Sequence, residues 1–265
     1  MTAVGKVTRI FREEGAVAVA AAVPSALGKW WRQGEVWQLR KSSYVRLDGC
    51  RINLDSCHSS DIVNLLKTGR YELPERIAVR RYLNHQLPVI ELGASIGVVA
   101  CATNLRLQRR DQHVVVEANP TLIPCLTENR RRNGCGYEIL HRAVGYECDV
   151  VEMHLHRNNA LVGSKYIDGG EVVRIPAIRL REILKSRGFE RAALICDIEG
   201  SEYELMQHDA SVLGERVSLL ILELHERMLG QERTHLVRKT LADIGFACVY
   251  KNHENYVFRN QRLPS

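Results

Sequence analysis

The stretch from Leu87 to Pro120, LPVIELGASIGVVACATNLRLQRRDQHVVVEANP, limits the choice of fold more than any other part of the chain. A short apolar run (Val89, Ile90, Leu92) meets a glycine-containing turn, Gly93-Ala94-Ser95-Ile96-Gly97, and a helix-like segment rich in Val, Ala and Leu follows. A second apolar run, Val114-Val115-Val116, closes on an acid, Glu117. Strand, tight turn, helix, strand, acid is the repeating unit of a parallel α/β sheet. Gly93 and Gly97 let the backbone turn sharply and approach a ligand where a Cβ would clash. The helix start after the turn offers unpaired N–H groups, and Glu117 stands where such folds place the acid that grips a ribose.

The turn is not a dinucleotide fingerprint. It reads E-x-G-x-x-x-G, with Ser95 where a middle glycine often stands. An acid at the strand end, Glu91, would repel a pyrophosphate but could receive the ammonium of a methionine-like group. The two acids therefore favour S-adenosylmethionine, a cationic nucleoside without phosphate, over NAD. A plain strand–helix turn would explain the glycines alone; it does not explain Glu117 at the second strand end.

A chain of 265 residues with 45% hydrophobic content can build one large domain, or one domain and an extension. Its net charge of +6 is compatible with an anionic partner, yet the basic runs Arg109-Arg110 and Arg130-Arg131-Arg132 read as solvated helix ends with favourable dipole contacts. The eight cysteines make no C-x-x-C pair and no zinc spacing. Buried, reduced thiols and a cytoplasmic location are the expectation. The Ala- and Val-rich segment from Ala16 to Leu27 is too short to span a bilayer and lacks a leader's flanks. It reads as an amphipathic or partner-covered helix, with peripheral membrane contact the lesser alternative.

Taken in order, residues 1–45 form an N-terminal helical extension with an aromatic patch at Trp30, Trp31 and Trp37, read as the seam that docks it. Residues 46–86 hold a hairpin turning at Asp48-Gly49 and two helices separated at Gly69–Glu72, capping the cofactor site. Residues 87–265 are the α/β domain. Its expected third strand runs unbroken from Tyr137 to Val144; Val150–His156 alternates as a half-exposed antiparallel strand, and a polar loop from Asn158 to Gly170 would lie over the cofactor edge. Strands at Val172–Pro176, Ala192–Cys196 and Val217–Leu222 follow, with helices from Leu180 to Arg187, after Gly200, and from about Arg233 to Ile244. The closing strand–turn–strand, Ala247–Lys251 and Tyr256–Phe258, calls for an antiparallel edge on an otherwise parallel sheet.

Ligands bind beyond the carboxyl ends of strands in an open α/β sheet. Four such ends carry acids or histidine: Glu91, Glu117, Asp197 with Glu199, and Glu223 with His225. Asp197 could simply cap the next helix and Glu223 could be solvated, but a cap does not explain a D-x-E-G-x-E cluster directly after a buried strand. With Gly69-Arg70-Tyr71-Glu72, Glu91–Gly97, Glu117-Ala118-Asn119-Pro120, Ala143-Val144-Gly145, Asp197–Glu202 and Leu222-Glu223-Leu224-His225 in this order, the chain resembles the FkbM-type methyltransferases from about Tyr71 to Phe246. Two positions depart from the family's habit, Ser95 for Asn and Glu91 for Asp, and both keep polarity. The resemblance implies a Rossmann-like class I fold and S-adenosylmethionine, held by Tyr71, Glu72, Glu91, Gly93, Ala94, Ser95, Gly97, Glu117, Ala118, Asn119, Ala143, Val144 and Asp197. It further implies O-methylation of a sugar, glycan, glycolipid or natural-product hydroxyl.

A hydroxyl is a poor acid, so transfer needs a base or a metal. Asp197 and His225 are the candidate bases, with Glu199 beside them; the alternative is a Mg²⁺ site of Asp197, Glu199 and Glu223, which the spacing does not require. Two rival functions remain at this stage. An RNA cap-type methyltransferase would need a basic stripe interleaved with aromatics, which is not apparent. A non-catalytic scaffold of the same fold would be expected to lose the glycines or Asp197, and both are kept.

Overall fold

The computed structural model describes residues 43–54, 60–155, 163–164 and 171–264. The expected N-terminal helix, the tryptophan patch and most of the expected polar loop from Asn158 to Gly170 lie outside the described residues. The chain divides into two compact units, residues 1–47 with 52–71, and residues 48–51 with 72–265. The described residues up to 71 hold a hairpin of β1 (Tyr44–Leu47) and β2 (Cys50–Asn53), followed by α1 (Ser60–Lys67). The hairpin turns at Asp48-Gly49 with φ of +48° and +86°, the paired left-handed geometry that makes Asp-Gly the strongest short hairpin signal.

The larger unit opens with α2 (Leu73–Tyr82) and continues through β3 (Val89–Leu92), α3 (Val98–Asn104), β4 (His113–Glu117), α4 (Ile123–Arg132) and β5 (Glu138–His141). After a short β6 (Ala143–Val144) come β7 (Val150–Leu155), β8 (Gly163–Ser164), β9 (Glu171–Ile178) and α5 (Leu180–Arg187). The chain closes with β10 (Ala192–Cys196), α6 (Glu202–Arg216), β11 (Val217–Glu223), α7 (Glu226–Asp243), β12 (Phe246–Asn252) and β13 (Asn255–Asn260).

Seven strands form the main sheet in the order β12-β13-β11-β10-β3-β4-β5. The five from β11 to β5 are parallel, β13 runs against β11, and β12 runs against β13. The antiparallel pair therefore closes one edge, with the reversed strand one place in. This is the Rossmann-like α/β arrangement. Every residue of β3, β4 and β10 is buried, because helices cover both faces, and such strands read as continuous apolar runs without alternation. Ile90, Leu92, Leu194 and Cys196 join one core with α5, α6 and α7; Val89, Ala193 and Ile195 join another with Val79 of α2 and Val99 of α3.

Three expectations change. The strand from Tyr137 to Val144 breaks at Arg142: β5 stays on the main sheet, whereas β6 leaves it to pair with β9 in a second sheet ordered β6-β9-β7-β8. The last long helix begins at Glu226 and is interrupted at Gly230, whose φ of +74° breaks the helical path. Arg130, Arg131 and Arg132 do occupy the last turn of α4, but Arg109 and Arg110 lie in the loop before β4, since α3 ends at Asn104. All seven described cysteines are free; Cys148 and Cys248 are exposed and the other five are buried. No helix among the described residues is long and apolar enough to cross a membrane.

Candidate functional site

From β3 the chain steps outward through β4 to β5; from β10 it steps the other way to β11. A crevice opens at the carboxyl ends of two neighbouring strands whose connections leave in opposite directions. Backbone hydrogen bonds join the three strand ends there: Gly93 N–H donates to Val116 O at 3.0 Å, and Asp197 N–H donates to Leu92 O at 2.8 Å. A Cβ on Gly93 would stand 1.6 Å from the Asp197 carbonyl oxygen. The glycine is thus required by the neighbouring strand. Gly97 faces the core, where a Cβ would meet Leu126 Cδ1 at 2.5 Å and Tyr137 Oη at 3.2 Å. Between them Ser95 holds φ +49°, a left-handed conformation costly for a residue with a Cβ.

Glu117 fastens this turn. Its Oε2 accepts the N–H groups of Ala94 (3.1 Å) and Ser95 (2.7 Å), and its Oε1 accepts that of Asn119 (2.6 Å). Asn119 Oδ1 accepts from Thr121 N–H and Oγ1–H, which sets the turn after β4. Burial pushes Glu117 up to about 7, against the lowering pull of its amide donors. Gly93, Ser95, Glu117, Ala118, Asn119, Ala143, Val144, Asp197 and Glu199 line one cavity. Arg142, Val151 and Met153 line it too, and the sequence reading missed them. The Val151/Met153 alternation was visible, but not what that face covers.

Within the same unit, Glu72, Glu91, Ala94 and Gly97 are not among the residues that line this cavity. Glu91 is 1% exposed and is not among the cavity's lining residues. Its side chain turns inward toward His113, with Oε2 3.5 Å from Nε2. Burial drives both groups neutral, Glu91 well above the carboxylate range and His113 down to about 3. Ala94 is buried and contributes through its N–H. Tyr71 is buried in the first unit, and Glu72 opens α2 with φ +46°.

A second group gathers at the ends of β10 and β11. His225 Nδ1 is 2.7 Å from Glu202 Oε1; Nε2 is 3.5 Å from Asp197 Oδ1 and 3.4 Å from Glu199 Oε2. Glu202 is fully buried on the first turn of α6. Ser201, not Asp197, holds the N-cap position of α6, so capping does not account for the aspartate. Burial alone would lower His225; the Glu202 hydrogen bond and the charges of Glu202, Asp197 and Glu199 outweigh it and hold the imidazole at about 10. Burial and then the charge of Glu223 keep Asp197 well above its ordinary value, and burial raises Glu199. Glu223 turns away to hydrogen-bond Glu75, and burial with this partner lifts it to about 8. The residues that converge with metal-ligand spacing are thus Asp197, Glu199 and His225; in place of the expected Glu223 stands the histidine. Glu202, read only as part of the D-x-E-G-x-E run, is the residue that orients it.

The model of the FkbM methyltransferase domain matches residues 91–251. No curated protein matches the chain. Among solved structures, the ribosomal protein L11 methylase of Lactobacillus delbrueckii subsp. bulgaricus is 9% identical at a TM-score of 0.41, over 72% of this chain and 77% of that one. Aeropyrum pernix fibrillarin with bound S-adenosyl-L-methionine is 12% identical at 0.41, over 71% and 73%. M. jannaschii TYW2 in complex with AdoMet is 12% identical at 0.41, over 83% and 88%.

Proposed function

The chain belongs to the FkbM methyltransferase family, and we propose that it transfers a methyl group from S-adenosylmethionine to a hydroxyl oxygen of a sugar, glycan, glycolipid or natural product. The observation that carries this reading is one cavity that runs from the Glu117 turn to Asp197 and Glu199. Glu117 lies at the β4 end for a ribose, and the β3 turn and Ala143-Val144 flank it. S-adenosylmethionine supplies an already activated methyl group, so the protein's tasks are to align the acceptor oxygen and to take its proton.

Asp197 is the base in this scheme. Burial and the neighbouring Glu223 raise its proton affinity, while His225, held by Glu202, enters as an imidazolium that balances charge beside it. Glu199 completes the set and steadies the imidazolium. The carboxylates at this end of the cavity argue for a neutral polyhydroxyl acceptor over a phosphate backbone, which they would repel. The buried thiols accord with action in the cytoplasm, where the acceptor and cofactor would meet.

Titration calorimetry with S-adenosylmethionine tests the cofactor half. Glu117→Ala removes an acceptor with charged character and should weaken binding by about 1.5–3 kcal/mol. Binding unchanged in Glu117→Ala would put the cofactor elsewhere. Methyl-labelled S-adenosylmethionine offered with glycan and lipid extracts tests the acceptor half, read as label in a hydroxyl-bearing product.

A further inference from the structure

We propose that Asp197, Glu199 and His225 form a binding site for a divalent first-row transition ion, with Glu202 holding the histidine ring in place. Three oxygen and nitrogen atoms, Asp197 Oδ1, Glu199 Oε2 and His225 Nε2, come from two different strand ends and lie within 4.8 Å of one another. The nitrogen stands 3.5 and 3.4 Å from the two oxygens. Bonds of about 2.1 Å at tetrahedral angles put ligand atoms about 3.4 Å apart, which is the spacing of the nitrogen from each oxygen.

Two further observations point to a ligand. Asp197 Oδ1 is sealed from solvent yet accepts no hydrogen bond, an arrangement that costs free energy unless something else meets that oxygen. The other ring nitrogen, Nδ1, is 2.7 Å from Glu202 Oε1, and Glu202 is fully buried. A carboxylate on the far nitrogen holds Nδ1–H, so that once an ion displaces the Nε2 proton to solvent the freed lone pair points at it, as in carboxylate–histidine–metal arrangements. Asp197 and Glu199 line the cavity, which gives an ion an entry path and leaves its fourth position open. Two carboxylates and one imidazole suit Zn²⁺ and its neighbours better than Mg²⁺, which prefers an all-oxygen shell.

Binding stands on this geometry alone; the ion's use, lowering the pKa of an acceptor hydroxyl, rests on the methyl-transfer reading. The test uses the full chain stripped with chelator, Zn²⁺ followed by calorimetry and Co²⁺ by its visible absorption, with Mg²⁺ as comparator. One ion per chain is expected, with Mg²⁺ weaker by about 10-fold or more. Glu202→Gln should weaken Zn²⁺ by about 10–100-fold, and His225→Gln and Glu199→Gln should each weaken it at least as much. Circular dichroism confirms that each variant is folded, and two of the three suffice. No binding, or equal binding in all folded variants, overturns the proposal; an imidazolium held by carboxylates predicts that outcome. S-adenosylmethionine titrated in chelator separates the readings: if it binds where Zn²⁺ does not, the metal site fails and the methyltransferase reading stands.

Discussion

Two histidine–carboxylate groups sit in this sheet, and they come to opposite charge. His113 and Glu91 are 0% and 1% exposed and lie 3.5 Å apart, with Asn104 on the other ring nitrogen of His113. His225 is 14% exposed and faces Glu202, Asp197 and Glu199. In the first, burial penalises charge on both groups, and one weak pairing at 3.5 Å does not offset it, so both are neutral. In the second, three acids and a short hydrogen bond outweigh burial, and the imidazole is charged. The same two side-chain types are neutral inside the sheet and carry a charged imidazole at its end. What separates them is the number of acids and access to water.

The largest test of this contrast is turnover. Asp197→Asn keeps shape and removes the carboxylate oxygen that would take the acceptor's proton, and the methyl-transfer rate should fall by about 10²–10⁴ while cofactor affinity changes little. Glu91→Gln replaces a neutral acid by a neutral amide and should leave turnover within a few-fold of wild type. A large loss in Glu91→Gln with Asp197→Asn near normal would reverse the assignment.

Stability against pH is the next test, and the two histidines carry opposite signs. His113 binds its proton in the unfolded chain below about 6.5 but in the folded one only near 3, so its contribution is lost as pH falls between them. His225 is raised to about 10; its contribution is complete below about 6.5 and is lost as pH rises toward 10. Urea midpoints measured in chelator should show it. His113→Gln should flatten the acid side and His225→Gln the alkaline side, each by about 1–3 kcal/mol over two pH units. If either substitution flattens the opposite side, the protonation states are misassigned.

The smallest effect is expected on the turn that links the two groups. Ser95→Gly relieves a left-handed residue and should raise stability by no more than about 1 kcal/mol. A loss of stability there would mean that the serine side chain holds the turn.

The sequence pattern was sufficient where one residue type has one physical use. Asp48-Gly49 made the hairpin, Gly93 marked the turn after β3, and the apolar runs of β3, β4 and β10 gave their limits to within a residue or so. It failed where direction mattered. In a strand buried on both faces, alternation carries no signal, so Glu91 could not be told to point inward at His113. His225 and Glu202 are 23 residues apart on separate elements, and no spacing rule pairs them. The break at Arg142 depends on β6 finding β9, a contact with no local trace. Gly93 was legible as a glycine, but its reason, the Asp197 carbonyl, belongs to another strand.

Glu117 accepts three backbone N–H groups of the turn around it. The loop's conformational entropy is therefore surrendered when the chain folds, and little remains to be surrendered on binding. A nucleoside arriving at this strand end meets a finished surface. Association limited by diffusion and orientation, without a slow loop-closing phase at residues 94–95, is the kinetic consequence.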